Sequence, residues 1–130
     1  MPLSLPPAVA QFIETNLRTA DDIHFLEVAA ADRERWWDAA AVSRELGLHE
    51  PEARRLLEHL AARNLLDIRV TADVRYQYRP GSAELAAAAE AALAAFKANP
   101  AAVWRALVRK GGGRAIRDFT DAFRIRRDDR

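Results

Sequence analysis

Apolar residues recur at intervals of three or four positions near the amino terminus, which is the spacing of one buried helix face. They predict a helix from about Pro7 to Leu17 and a second helix from Ala20 to about Asp32. Thr19 and Asp22 have the spacing of a capping box at the start of the second helix. The two apolar faces consist of Val9, Phe12, Ile13, Leu17, Ile23, Leu26 and Ala30. Each helix is therefore expected to bury one side.

The stretch from Arg35 to Leu48, RWWDAAAVSRELGL, has a different pattern. Its adjacent tryptophans, Trp36 and Trp37, favour a short extended strand. Because side chains alternate across a strand, we expect one ring in the core and the other outside it. Asp38 is placed to cap the helix AAAVSREL, and Gly47 to end that helix in the left-handed conformation.

A helix and a hairpin are predicted next. The helix lies in HEPEARRLLEHLAAR, with Pro51 in its first turn and Asn64 at its carboxyl end. Its apolar face consists of Ala53, Leu56, Leu57 and Leu60. The apolar period then falls to two in LLDIRVTADVRYQYRP, on both sides of a small polar turn. Strict alternation of this kind predicts two antiparallel strands, which Pro80 and Gly81 close.

Further helical segments follow the hairpin. Ser82 caps an alanine-rich helix, AELAAAAEAALAAFKA, and Asn99 with Pro100 begins the next helix. The glycines at 111–113 predict a hinge or linker. The apolar residues of the basic segment beyond them, RAIRDFTDAFRIRR, have helical spacing and are Ile116, Phe119 and Phe123. The chain is thus predicted to be mainly α with a small β-hairpin, an α+β fold.

Composition narrows the classes of function. The chain has 130 residues, half of them apolar, which suffices for one core, and it contains no cysteine for disulfides or thiolate metal sites. It begins without the features of a signal peptide and has no apolar run of membrane-spanning length, so we expect a soluble cytoplasmic protein with no membrane partner. His24, His49 and His59 lack the spacing of a metal site, and KGGGR lacks that of a phosphate loop. We therefore predict no metal, no cofactor and no enzymatic activity.

The small net charge of +1 conceals a gradient along the chain. Residues 1–38 contain seven acidic residues and three arginines, residues 39–80 six and seven, and residues 81–130 six acidic against ten basic residues. Such a gradient allows one end of the molecule to face an anion while the other stays clear of it.

The order helix, helix, short strand, helix, Gly-Leu turn, helix and hairpin resembles a winged helix-turn-helix domain, and the sequence is similar to small bacterial MarR-like transcriptional regulators. Trp36-Trp37, DAAAVSRELGL, HEPEARRLLEHLAARN and LLDIRVTADVRYQYRP carry the resemblance. It implies a DNA-binding domain over residues 1–80, a helical extension for dimerisation over 81–110, and a hinge with a basic amphipathic segment over 111–130. It also implies a homodimer that binds operator DNA.

The resemblance makes the helix at about 50–63 the recognition helix and the hairpin at about 65–79 the wing. The candidate DNA-contact residues are Ser43, Arg44, Arg54, Arg55, His59, Arg69, Arg75, Gln77 and Arg79. Arg54 and Arg55 are the main candidates for contacts to base edges or phosphates. The outer face of the hairpin is expected to reach adjacent phosphates.

Other interpretations of these residues remain open. Arg54 and Arg55 can pair with neighbouring glutamates on the helix surface, and cationic side chains on a strand discourage pairing with another chain. Glu50 and Glu52 occupy the first turn of the recognition helix, where carboxylates would repel phosphate. An alternative function is therefore a winged-helix adaptor that binds protein, for which the carboxyl-terminal segment offers an apolar stripe. That segment could equally dock on its own domain or across a dimer.

Overall fold

The computed structural model describes residues 5–109 of the chain. The hinge predicted at 111–113 and the basic segment with Ile116, Phe119 and Phe123 lie outside the described residues. The elements are α1 (Pro7–Asn16), α2 (Ala20–Ala30), β1 (Trp36–Trp37), α3 (Ala39–Leu46), α4 (Glu50–Ala62), β2 (Leu66–Val70), β3 (Val74–Tyr78) and α5 (Ala83–Ala98). A further helix, α6, is described over residues 100–109. The predicted mainly helical α+β class is confirmed.

Several helix ends follow the predicted capping chemistry. The Asp38 carboxylate accepts a hydrogen bond from the backbone N–H of Ala41 at 2.8 Å and caps α3, which Gly47 ends at a φ of 71°. Ser82 caps α5 in the same way, by accepting from the backbone N–H of Leu85 at 3.1 Å. Asn64 has a φ of 68° after α4, as its predicted left-handed position requires.

The capping box predicted for α2 is wrong in one part. The Thr19 side chain makes no capping hydrogen bond. Asp22 instead turns into the core, where its Oδ2 accepts from the backbone N–H of Arg18 at 2.8 Å. The helix also ends at Ala30, two residues before the predicted Asp32, because a tighter turn follows in which the Asp32 N–H donates to the Ala29 carbonyl.

The three strands form one antiparallel sheet in the order β1-β3-β2. Leu66 lies opposite Tyr78 and Ile68 opposite Tyr76, so the alternating apolar residues of the hairpin share a face, as predicted. Trp36 pairs with Gln77 and Trp37 with Tyr76, which places Trp37 on that same apolar face and Trp36 on the other. The sheet therefore has an inner face towards the helices and an outer face away from them.

The core lies between the inner face of the sheet and the helices. Trp37 is 1% exposed and packs edge-on against Phe25 of α2, with ring centroids 5.3 Å apart. The apolar face of α4 is buried against α2, α3 and β2, and α1 packs on α5. Val103 and Leu107 join α6 to the same core. Within the described residues, no helix is long and apolar enough to cross a membrane.

The packing of α3 on α4 predicts unequal effects of one substitution at two helical sites. Val42 of α3 is fully buried, whereas Val108 of α6 is 57% exposed. Val42→Ala should lower the free energy of unfolding by about 2 kcal/mol because it removes buried apolar area. Val108→Ala, the matched control, should change it by less than ~0.5 kcal/mol at protein concentrations low enough to keep the chain monomeric. Urea unfolding followed by circular dichroism measures both, and equal losses at the two sites would contradict this packing.

Candidate nucleic-acid interface

Most of the hairpin residues predicted to contact DNA lie together on the outer face of the sheet. Strand alternation directs five side chains of the sheet to this face, namely Trp36, Asp67, Arg69, Arg75 and Gln77. Arg79, one residue beyond β3, continues the series. Arg69 and Arg75 are direct cross-strand partners, so two positive charges lie side by side. Like charges in this position repel, and each side chain needs another neighbour.

Two of these arginines have acidic neighbours. Arg75 forms an ion pair with Asp73 in the hairpin turn, with 3.2 Å between its Nη2 and the Asp73 Oδ2. The hydrogen bonds and charge of Asp73 raise the pKa of Arg75 above its ordinary value. Arg79 approaches Asp67 at 3.8 Å. Both pairs are exposed, so each contributes little to stability and exchanges easily for another anion.

Arg69 has a different neighbour. Its guanidinium carbon lies 4.4 Å from the centroid of the Trp36 ring, which is a cation–π contact. Within residues 5–109 it has no carboxylate partner. Gln77 lies between the two strands that hold this pair, and its side-chain amide donates to the Glu34 carbonyl at 3.1 Å. That contact ties the sheet to the turn before β1.

Helix α4 presents its charged side away from the core. Arg54, Arg55 and Glu58 are exposed, and Arg54 pairs with Glu50 at 3.6 Å, as one of the alternative interpretations anticipated. Arg55 has no carboxylate partner in the described part of the chain. In the first turn, Glu52 Oε1 accepts from the backbone N–H of His49 at 3.2 Å, so this carboxylate serves as a helix cap.

Tyr76 shows how α4 lies relative to the hairpin. Burial raises the pKa of its hydroxyl above the ordinary value; the charge of Glu58 raises it further and that of Arg54 lowers it. The charged side of α4 therefore borders the inner face of the hairpin. Since Arg69 and Arg75 lie on the outer face, the structure arranges the predicted contacts as two groups on opposite sides of the hairpin.

The two predicted residues of α3 differ in exposure. Ser43 is half-buried, and its hydroxyl donates to the Leu48 carbonyl across the Gly-Leu turn. The Ser43 carbonyl in turn accepts from the N–H groups of Gly47 and Leu48. Ser43 therefore holds the turn between α3 and α4, whereas Arg44 is exposed to solvent.

His59 lies on the inner side of α4, where it does not share the exposed surface of Arg55. Its Nε2 is 2.8 Å from the Asn16 carbonyl oxygen and 3.9 Å from the buried carboxylate of Asp22. Arg63 adds a hydrogen bond to the Asn16 side chain at 3.1 Å. This polar cluster joins α4 to the junction of α1 and α2. His59 thus packs α4 against the domain, and its sequence-based placement at the edge of the contact face needs correction.

Sequence reasoning missed the neighbours that control the charges of the site. Local sequence patterns did not identify Asp73 as the partner of Arg75 or Asp67 as the partner of Arg79, although Asp73 and Arg75 are only two residues apart. The contact of Trp36 with Arg69 is only partly predictable from the sequence. Strand alternation predicts one outward tryptophan, but it does not predict a partner on β2, which β3 separates from β1. Within the described residues, no group of three or more histidine or acidic side chains could hold a metal ion.

Comparison with protein-family models, curated proteins and solved structures found no match to this chain.

The positions of His59 and Arg55 predict different roles for two residues of the same helix. His59→Ala should lower the free energy of unfolding by about 1–3 kcal/mol, because it leaves the buried Asn16 carbonyl without its side-chain partner and removes a neighbour of the buried Asp22 carboxylate. Arg55→Ala, the control on the exposed side, should change it by less than ~0.5 kcal/mol. Chemical denaturation tests this assignment, which fails if His59→Ala is as stable as the wild type.

Proposed function

We propose that this protein is a DNA-binding transcriptional regulator of the winged helix-turn-helix type. In this proposal α3 and α4 form the helix-turn-helix, α4 is the recognition helix, and β2 with β3 is the wing. The observation that carries the proposal is a helix that exposes Arg54 and Arg55 next to the hairpin of the β1-β3-β2 sheet, whose face turned away from that helix carries further arginines. This combination of a presented helix and a basic hairpin suits the major groove and the adjacent backbone.

The contacts of the arginines suggest that some of them bind bases and others bind phosphates. Arg55 is exposed on α4 and has no carboxylate partner within residues 5–109, so it is the best candidate for a base edge, where arginine makes its most specific contacts with guanine. Arg54 would exchange its weak pair with Glu50 for DNA. Arg75 and Arg79 would likewise exchange Asp73 and Asp67 for phosphate oxygens, whose contacts position the protein without specifying sequence.

A homodimer is part of the proposal. Trp104 and Val108 lie one helical turn apart on α6, and they are 54% and 57% exposed. Large apolar side chains in such a stripe favour burial against a second copy, and α5 offers exposed alanines that allow close helix contact. Two copies would present two recognition helices to half-sites about 34 Å apart. Such a regulator acts in the cytoplasm and needs neither cofactor nor catalysis.

A second candidate function is a protein-binding adaptor built on the same domain. It is favoured by the end of the hairpin, where Ile68, Val70 and Val74 share one face and are exposed although apolar, Val70 at 71%. The ion pairs of Arg54, Arg75 and Arg79 also reduce the positive charge available to DNA. An adaptor would bind a protein through these apolar residues and show no salt-dependent affinity for duplex DNA.

Substitution of arginines on the two surfaces should have distinct effects on DNA binding. Arg55→Ala should relax sequence preference at one position and cost about 1–3 kcal/mol there. Arg75→Ala should weaken binding to all sequences and reduce the salt slope by about 1. Fluorescence anisotropy with a random duplex pool, followed by sequencing of the bound fraction, measures both effects.

Lys97→Ala, at the exposed carboxyl end of α5, is the charge-matched control and should leave affinity unchanged. If the wild type binds no duplex pool in a salt-dependent manner, the proposal of a DNA-binding regulator is wrong.

A further inference from the structure

We propose that Trp36 holds Arg69 in place as a preformed binding site for a backbone phosphate of duplex DNA. This inference rests on the proposed function and adds a residue from β1 to its surface. In it, Trp36 is a positioning residue that itself makes no hydrogen bond to DNA. The phosphate would be bound by the guanidinium edge of Arg69.

The placement of the two residues in the sheet requires an extended Arg69 side chain. Trp36 lies on β1 and Arg69 on β2, and β3 separates these two strands. Arg69 therefore crosses the outer face above β3 to bring its guanidinium carbon 4.4 Å from the Trp36 ring centroid. A long side chain loses considerable rotamer freedom when it is held in one place. Here that loss is incurred before any ligand binds, which lowers the entropic cost of binding.

The chemistry of the contact leaves the binding groups of Arg69 available. Arginine stacks on an aromatic ring through its planar face, while its N–H donors point outward in the plane of the guanidinium. Those donors match the geometry of two phosphate oxygens. Because Arg69 is exposed and has no carboxylate partner among the described residues, no acidic side chain of that part of the chain competes for these donors.

The charges around Arg69 favour the binding of a negatively charged ligand. Arg75 faces Arg69 directly across the strands, so the two guanidinium groups raise the local positive potential. Asp73 compensates Arg75, whereas the indole compensates Arg69 without neutralising its charge. A phosphate at Arg69 would therefore relieve a repulsion that exists in the free protein.

The neighbouring Arg35 also lies over a tryptophan ring, but that ring is buried. Its guanidinium carbon lies 3.7 Å from the centroid of Trp37, a ring that is almost fully buried. That pair covers the core, so its ring is unavailable as an exposed platform. Trp36 is only half-buried, and its ring supports Arg69 on the side of the sheet away from the helices.

A double-mutant cycle tests the inference by anisotropy on one fixed duplex over a range of salt concentrations. Arg69→Ala should weaken binding about tenfold, as loss of one charge-assisted hydrogen bond would, and reduce the salt slope by about 1. Trp36→Val, which retains a strand-favouring residue but no ring, should weaken binding almost as much. The double variant should be no weaker than Arg69→Ala alone, and Trp36→Phe should restore most of the affinity.

Arg69→Lys keeps the strand and Trp36 intact and so remains informative if Trp36→Val fails to fold. It should preserve the salt slope, because the charge remains, but lose affinity with the planar fork. Wild-type affinity in Arg69→Ala, or additive effects of Trp36→Val and Arg69→Ala, would overturn the inference while leaving the proposed function intact. A wild type that binds no duplex would overturn the proposed function and this inference with it.

Discussion

The burial of Trp37 is the constraint on which the arrangement of the sheet depends. This ring is 1% exposed, packs edge-on against Phe25 of α2 and is covered by Arg35. A side chain of this size dominates the energetics of a small core. Because β1 has only two residues, fixing Trp37 inward fixes Trp36 outward. The pairing of Trp37 with Tyr76 then determines which residues of β3, and through it β2, face solvent.

The outer face that results and the exposed side of α4 are both basic but partly self-neutralised. Arg75, Arg79 and Arg54 each pair with a nearby carboxylate, whereas Arg55 and Arg69 have none in the described residues. Exposed ion pairs are weak, so the paired arginines can readily exchange their carboxylates for another anion. The arginines without a partner in the described residues can bind an anion without first breaking an ion pair. The domain therefore carries two basic surfaces, one on α4 and one on the sheet, held in fixed relation by the core between them.

Local rules predicted most of the fold. The helix caps at Asp38 and Ser82, the left-handed Gly47 and Asn64, and the two-residue alternation of the hairpin depend on neighbours in sequence, and the structure contains each of them. His59 could not be placed in this way, since its partner Asn16 lies 43 positions away and meets α4 only after α1 and α2 have folded against it. The stack of Arg69 on Trp36 likewise depends on the sheet order, which the sequence of a two-residue strand does not encode locally.

The most direct test of the account is a nuclear magnetic resonance titration of the folded protein with duplex DNA, observing arginine Nε–H and tryptophan indole N–H signals. If α4 and the outer face of the sheet both contact DNA, the signals of Arg55, Arg69 and Trp36 should shift together in proportion to bound DNA, and the signal of the buried Trp37 indole should change little. Shifts confined to residues outside α4 and the outer face of the sheet, or no shifts at all, would contradict it.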